Sequence, residues 1–531
     1  MTGAAGGGGG GGGGRHAAQV AAGIVVTRVL GYVRERVFAH YFGNEAVADA
    51  FRAALRIPNV LRNLLGEGTL SASFIPVYAA LRERPGAEAA RVLAGAVLGL
   101  LAAGAGVLAT AGIALAPAIT TAVAPGFEPE TRRLTVTLVR LLFPMSGLMV
   151  VSAWCLGILN THRRFFLPYA APALWNVAGI AALVGAGTWL VTPAMGGAER
   201  LERLALALAW GTVAGGVLQV AVQLPACWRL LGGLRLRASV AVEGVRDVLI
   251  AWVPLVLGAG VAQVAGLVDT VLGSLAGPGS VASLSYAQLV QTLPISLFGV
   301  SVAAVALPEL ARDAARTAAA DVLRRRLAAG FRRIGFFVVP SAVACVGLGP
   351  VMIGALFQTG RFGAADTALV GGVLAAYGPG LLWYASVKLL ASGFYALRDT
   401  RTPVRITVVS LAASTALAVA LMRPYGAAGI ALASSLGAGL QFVLLRAGLD
   451  RRLGTVLDAA TWRATGMVGV AALVALAGGV STARLGAALS PVPLAGASLA
   501  IFGTTYLALT SALRHPDALA LWTFLRPSRG S

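Results

Sequence analysis

The chain has 531 residues, 57% hydrophobic and only 12% charged, with a mean hydropathy of +0.81, where a soluble domain carries roughly a quarter charged residues. So little charge cannot cover a solvated surface, which excludes a soluble globular protein and implies an integral membrane protein. The net charge of +21 then reads as basic cytoplasmic loops of a polytopic protein, with no nucleic acid as partner.

The opening glycine-rich stretch, Gly3 to Gly14 with Ala4 and Ala5, is low in complexity, and residues 1–16 are expected to be disordered. From there, apolar runs recur near the ~20 residues that a helix needs to cross the hydrocarbon core. Alternating segments of the β-barrel kind are absent, so the expected class is an all-α polytopic membrane protein. Spans are expected near 17–43, 46–81, 92–117, 133–159, 168–192, 204–227, 247–273 and 281–310, then 333–356, 366–397, 403–422, 426–447, 463–482 and 491–512. That gives about 14 transmembrane helices. The second run is too long and too charged for one straight span; Pro58 and the Gly66-Glu67-Gly68 break predict a bent or interrupted helix.

Alternate loops carry most of the arginines, among them Arg163 and Arg164, Arg235 and Arg237, Arg324 to Arg326, and Arg451 and Arg452. The basic side is cytoplasmic, which puts both termini in the cytoplasm. The chain also repeats itself. LAWGTVAGGVLQV (208–220) aligns with IALASSLGAGLQF (430–442), and GILNTHRRFFLP (157–168) with GFYALRDTRTP (393–403). A duplication implies two six-helix lobes, 17–228 and 247–448, around a central cavity. They are joined by a basic linker at 229–246 and followed by a terminal helix pair at 449–512 and a cytoplasmic tail at 513–531.

Ionisable groups at bilayer depth cost about 2.5–3.5 kcal/mol each even on insertion scales, so they face a cavity or a partner. Most such groups lie in the first two spans. Asp49, Arg52 and Arg56 are spaced i, i+3, i+7 and share one helix face. Arg34, Glu35 and Arg36 also suit snorkelling or ion pairing, whereas Arg28 and Arg62 are flanked by apolar residues and suit a cavity wall equally well. The excess of arginine over acid points to an anionic substrate, phosphate above all, which the planar guanidinium binds bidentately. Asp269, in GLVDTVLG, is a candidate cation or proton site, with a plain interhelical hydrogen bond as the alternative.

Other chemistries lack their residues. The four histidines (His16, His40, His162, His515) are dispersed, and no paired-carboxylate or metal constellation of a transferase is visible. ATP hydrolysis through a GxxxxGK loop would need a lysine, and the only one, Lys388, follows WYASV. Cys155, Cys227 and Cys345 are widely spaced within or beside apolar runs and read as buried free thiols. The chain is therefore expected to be a transporter, with no cofactor; coupling to a monovalent cation or to the membrane potential stays open.

TRVLGYVRERVFAHYFG (27–43), followed by ADAFRAALRIPNVLRNLLGEGTLSASFIPVY, resembles the opening of the MurJ/MviN family of lipid II flippases, in the multidrug/oligosaccharidyl-lipid/polysaccharide exporter superfamily. GILNTHRRFFLPYAAPALWN, SLFGVSVAAVALPELAR, FQTGRFGAADT and VKLLASGFYALRDTRTPVR extend the resemblance from about residue 20 to 450. It implies fourteen helices in two lobes plus a terminal pair, in the bacterial inner membrane. The implied activity is alternating-access movement of undecaprenyl-pyrophosphate-linked peptidoglycan precursor from the inner to the outer leaflet. By the same resemblance Arg28, Arg34 and Arg62 fall on the family's cavity arginines, with Asp49 and Glu67 on its acids, and the polyprenyl tail follows a groove near the last two helices. Implied partners are lipid II, membrane lipids and cell-wall synthesis enzymes. The eighth helix reads YAQLVQTLP, with Gln288 and Leu289 where many members carry a further cavity arginine. Arg52 is the expected substitute for that charge. The alternatives are export of another polyprenyl-linked saccharide on the same fold, or a non-transporting cell-wall scaffold.

Overall fold

The computed structural model describes residues 10–85, 88–190, 195–313 and 319–525. Side chains are described from residue 19 onward within these, apart from Glu67, Leu257, Val261, Ala262, Leu307, Ala311, Asp313, Ala319 and 522–525. The described residues are predominantly helical, and one isolated bridge, Thr359 to Phe362, is the only β pairing among them. Helices satisfy their own backbone groups, as a chain crossing lipid must. Contacts divide the chain into two compact units, residues 1–275 and 276–531.

The first unit comprises α1 (Gly10–Phe42), α2 (Ala46–Leu65), α3 (Glu67–Arg82), α4 (Glu88–Ala114), α5 (Ala116–Val123), α6 (Pro129–Thr161), α7 (Phe166–Ala170), α8 (Pro172–Gly185), α9 (Gly197–Leu231) and α10 (Val245–Leu275). The division thus falls after α10 and not in the basic linker at 229–246. Of the glycine tail, residues 1–9 lie outside the described residues and 10–16 form the first turns of α1, not the disorder expected there. Extending an existing helix avoids the nucleation cost, which lets even glycine follow the apolar stretch. At the centre of this unit α6 packs against α2, α4 and α9. Trp154, fully buried, donates its indole N–H to the Ala94 carbonyl at 3.1 Å.

The second unit comprises α11 (Ser280–Pro294), α12 (Ser301–Asp313), α13 (Ala319–Phe357), α14 (Ala364–Tyr377), α15 (Leu381–Ala396), α16 (Arg401–Leu453), α17 (Ala459–Leu485), α18 (Pro491–Ala512) and α19 (Pro516–Leu525). A π-helical turn, Ile295–Val300, joins α11 to α12. α13 is the central element, packed on α14, α15 and α17, and Tyr506 of α18 donates its hydroxyl to the Phe336 carbonyl at 2.6 Å. Twelve helices among the described residues are long and apolar enough to cross a membrane. That set counts Arg401–Leu453 once, although Gly426 (φ 55°) kinks it into two, and omits the charged α1. Each of the fourteen expected spans therefore has a helical counterpart.

The sequence repeat has a structural counterpart inside each unit. Gln219 donates to the Ser152 hydroxyl at 2.8 Å and its aligned partner Gln441 donates to the Thr407 hydroxyl, also at 2.8 Å. The other aligned pair shares a turn. Arg163 (φ 58°) and Arg398 (φ 59°) are left-handed, each N–H bonding three residues back and the next N–H five back. This is a Schellman closure with arginine where glycine is usual. A left-handed non-glycine residue costs roughly 1–2 kcal/mol. We therefore expect Arg163→Gly to raise stability by about 1 kcal/mol, read as a higher thermal midpoint in detergent; an unchanged or lower midpoint would show that the arginine is held there by other contacts.

Beside that turn, His162 Nε2 lies 3.0 Å from the Tyr78 hydroxyl, and Arg82 donates to the Thr161 carbonyl at 2.9 Å. Burial, and then the Arg82 charge, hold the His162 pKa below its ordinary 6.5. The neutral ring is thus the folded form, and the stability linked to it is complete above about pH 6.5 and lost as pH falls through the lowered value. The thermal midpoint should drop on acidification below that pH, and drop less in His162→Gln. Equal drops in the two proteins would count against this linkage.

Candidate functional site

Two of the sequence-predicted arginines meet in the first unit. Arg28, on α1, and Arg62, near the end of α2, line one cavity of about 430 Å³ with Thr27, Asn63, Leu156 and Tyr169 among the other walls. That volume is within the range of ligand pockets, about 300–1,000 Å³. Among the described lining residues there is no carboxylate; the Glu67 side chain, next to the lining Gly68, lies outside the described residues. Arg28 is exposed and makes no ion pair among the described residues; Arg62 is half-buried.

Local structure explains how both side chains arrive there. α1 is pinned to the α7–α8 corner, which itself forms part of the cavity wall: Thr27 donates to the Tyr169 carbonyl at 3.0 Å and the Asn176 amide donates to the Thr27 carbonyl at 3.2 Å. On the other wall, the helix interrupts between α2 and α3 as the Gly66 break predicts. Gly66 lies only 2.2 Å, measured from the position a Cβ would take, from the Arg62 carbonyl oxygen, so only glycine permits this break. Thr69 donates to the Leu64 carbonyl at 2.6 Å, satisfying an acceptor that the break frees. Asn63, one residue beyond Arg62, is tied to Gln263 of α10 at 3.1 Å.

The other predicted residues lie elsewhere. Arg34 pairs with Glu35 at 2.6 Å and sits 4.4 Å over the Trp175 ring. Arg52 pairs with the other oxygen of Glu35 and lies 4.4 Å over Phe38. Glu35 is buried, so one carboxylate binds two guanidinium groups from α1 and α2, as the ion-pair alternative for Arg34 and Glu35 anticipated. Arg52 was expected at the cavity, but it and Arg34 are not among the residues lining the Arg28–Arg62 cavity. Asp49 is buried in the first turn of α2, where the helix dipole favours an acid. The Glu67 side chain lies outside the described residues. Asp269 is half-buried on α10, one turn beyond Gly266. Gly266 gives room to the Arg56 guanidinium, whose Nη2 is 1.3 Å from where a Cβ would stand. Sequence reading placed Arg56 on a face without foreseeing that neighbour; Gly266 was the available signal. Among the described residues no group of three or more His, Cys, Asp or Glu side chains could hold a metal ion.

The described lining can accept an anion: two guanidinium groups offer forked donors, and Thr27 on α1 and Asn63 on α2 add neutral polar groups. A chain with twelve helices long and apolar enough to cross a membrane among its described residues, and two arginines on a cavity of its first unit, has the make-up of a polytopic transporter. The family described as "Lipid II flippase MurJ" matches residues 38–488, and the chain belongs to that family. It is 35% identical to the lipid II flippase MurJ of Burkholderia cenocepacia over 81% of this chain and 82% of that one. It is 33% identical to a probable lipid II flippase MurJ of Rhizobium tropici over 84% and 83%. Among solved structures it resembles a lipid II flippase MurJ in an inward closed conformation, with TM-score 0.77 and 22% identity over 94% of this chain and 99% of that one. An inward-facing multidrug transporter of the MATE family shares the fold at TM-score 0.61 and 16% identity, over 81% and 95%.

Proposed function

We propose that this chain is a lipid II flippase of the bacterial cytoplasmic membrane, with Arg28 and Arg62 as ligands of the substrate's pyrophosphate. The observation that carries the reading is the convergence of these two arginines, from α1 and α2, on one cavity. Family membership supports lipid II as the cargo. The headgroup enters from the cytoplasmic side, the guanidinium groups hold the pyrophosphate, and alternating access delivers it to the outer leaflet while the polyprenyl tail stays in lipid. Arg34 and Arg52 act one step removed, by fixing Glu35 and with it the packing of α1 on α2. Both termini face the cytoplasm, as the arginine distribution supports.

A second reading, export of another polyprenyl-linked saccharide, is favoured by one observation. Leu289 stands where many members carry an arginine, and the neighbouring Gln288 amide donates to the Tyr377 hydroxyl at 3.0 Å. Complementation separates the two readings. In bacteria depleted of their own flippase, expression of this chain should restore growth and surface exposure of lipid II. Failure despite normal membrane expression would favour the other cargo.

A further inference from the structure

Beside its two arginines, the cavity of the first unit has an apolar, aromatic lining made by Ile24, Leu156, Pro168, Tyr169 and Pro172. Tyr169 is fixed at both ends. A Cβ at Gly23 of α1 would stand 2.9 Å from the Tyr169 Cβ, so the bare glycine lets the α7–α8 corner approach α1 this closely. At the other end the Asn160 amide, near the end of α6, donates to the Tyr169 hydroxyl at 3.5 Å. The side chain therefore runs from α1 to α6, where Leu156 lies one turn before Asn160. Pro168 and Pro172 bracket the corner and restrict its backbone. A wall held in this way has little freedom to lose when a ligand arrives.

The same lining offers a hydrogen-bond donor and an acceptor that carry no charge. The Tyr169 hydroxyl accepts from Asn160 and keeps its own proton to donate. Asn63 is exposed, and its amide nitrogen donates to Gln263 at 3.1 Å; its Oδ1, with no hydrogen bond among the described residues, is left to accept. A pyrophosphate has no use for an acceptor or an apolar wall. A polyprenyl chain has no use for either polar group. One donor, one acceptor and an apolar surface together complement an acetamide, which presents a carbonyl, an N–H and a methyl.

We propose that Tyr169 and Asn63 read the acetamido group of an N-acetylhexosamine joined directly to the pyrophosphate; this rests on pyrophosphate binding at Arg28 and Arg62. The acetamido carbonyl accepts from the Tyr169 hydroxyl, its N–H donates to Asn63 Oδ1, and its methyl rests on the apolar wall. A plain hexose has a hydroxyl at that position. It cannot reach both polar groups at once and leaves the wall uncovered, so the cavity discriminates against it. Arg28 and Arg62 hold what all polyprenyl-pyrophosphate cargo shares, and Tyr169 and Asn63 select among the saccharides.

The test is equilibrium binding to the purified full-length chain. The probes are undecaprenyl pyrophosphate and the same lipid carrying N-acetylglucosamine or glucose. The N-acetylglucosamine lipid should bind about ten-fold more tightly than the glucose lipid, the effect of one or two neutral hydrogen bonds. Tyr169→Phe, which keeps the ring and loses the donor, should cut that ratio to about three, and so should Asn63→Ala. Tyr169→Ala should bring it near one. Val29→Ala, at an exposed α1 residue outside the lining, should leave it at about ten. Thermal midpoints report whether each variant is folded. A ratio that survives in folded Tyr169→Phe and Tyr169→Ala would overturn the proposal. So would a loss of affinity in Tyr169→Ala that is equal for all three lipids, which would give the wall to a part they share. Arg28→Ala keeps the two readings apart: it should weaken all three lipids alike and preserve the ratio. No effect of Arg28→Ala on any lipid would overturn the pyrophosphate reading and this inference with it. A wild-type ratio near one, with all three lipids weakened by Arg28→Ala, would overturn the acetamide inference alone.

Discussion

Arg28→Ala and Arg62→Ala should each reduce lipid II affinity by a factor of about 10 to 150 and abolish complementation at ordinary expression. A hydrogen bond to a charged group is worth about 1.5–3 kcal/mol net, which sets that range. The two arginines face one cavity from different helices, so a single bound pyrophosphate is shared between them. The double variant should then fall short of the product of the single effects, because contacts to one group couple. Lysine at either position keeps the charge and loses the fork, so partial activity is expected from Arg28→Lys. Full additivity in the double variant would mean that the two side chains serve different ligands.

Glu35→Gln should have the largest effect on stability. The Glu35 side chain is 8% exposed and binds both Arg34 and Arg52. Removing the charge leaves two partly buried guanidinium groups facing a neutral amide, and breaking a buried ion pair from one side costs about 3–5 kcal/mol. Arg52→Ala should cost less, since Glu35 keeps Arg34, and should leave lipid II affinity within about two-fold of wild type, because Arg52 is not a wall residue of the cavity. Thermal denaturation in detergent and lipid II binding on the same preparations separate these effects. An Arg52→Ala protein that is stable but fails to bind lipid II would move Arg52 into the binding site and restore it as the substitute for the missing eighth-helix arginine.

The parts of this arrangement that sequence makes legible depend on local or summed properties. Apolar run length places the spans, Gly66 and Pro58 announce the interruption of α2 from α3, and the apolar flanks of Arg28 and Arg62 leave a cavity wall as one of two even readings for them. What stays hidden is the choice of neighbour. Asp49, Arg52 and Arg56 share a face by spacing, yet Arg52 reaches Glu35 on α1 while Arg56 rests at Gly266 on α10. An arginine side chain is long enough to leave its own face in either direction, and spacing along one helix says nothing of which helix lies beyond. Arg34 meets Trp175, 141 positions away; no local pattern marks that partner. Similarly Arg326, Arg332 and Arg333 read as loop charge in the sequence, and only the fold closes them into a pocket with Glu309 and Asp517.

The most direct test of the central claim is site-specific photo-crosslinking to labelled lipid II. A photoreactive residue is placed at Asn63 or Thr27, both lining the Arg28–Arg62 cavity, and at Val29, an exposed α1 residue outside the lining. Adducts at 63 and 27 that inorganic pyrophosphate suppresses, with none at 29, are the predicted result. Equal labelling at all three positions, or labelling at 63 and 27 that survives both pyrophosphate and the Arg28→Ala substitution, would contradict pyrophosphate binding in this cavity.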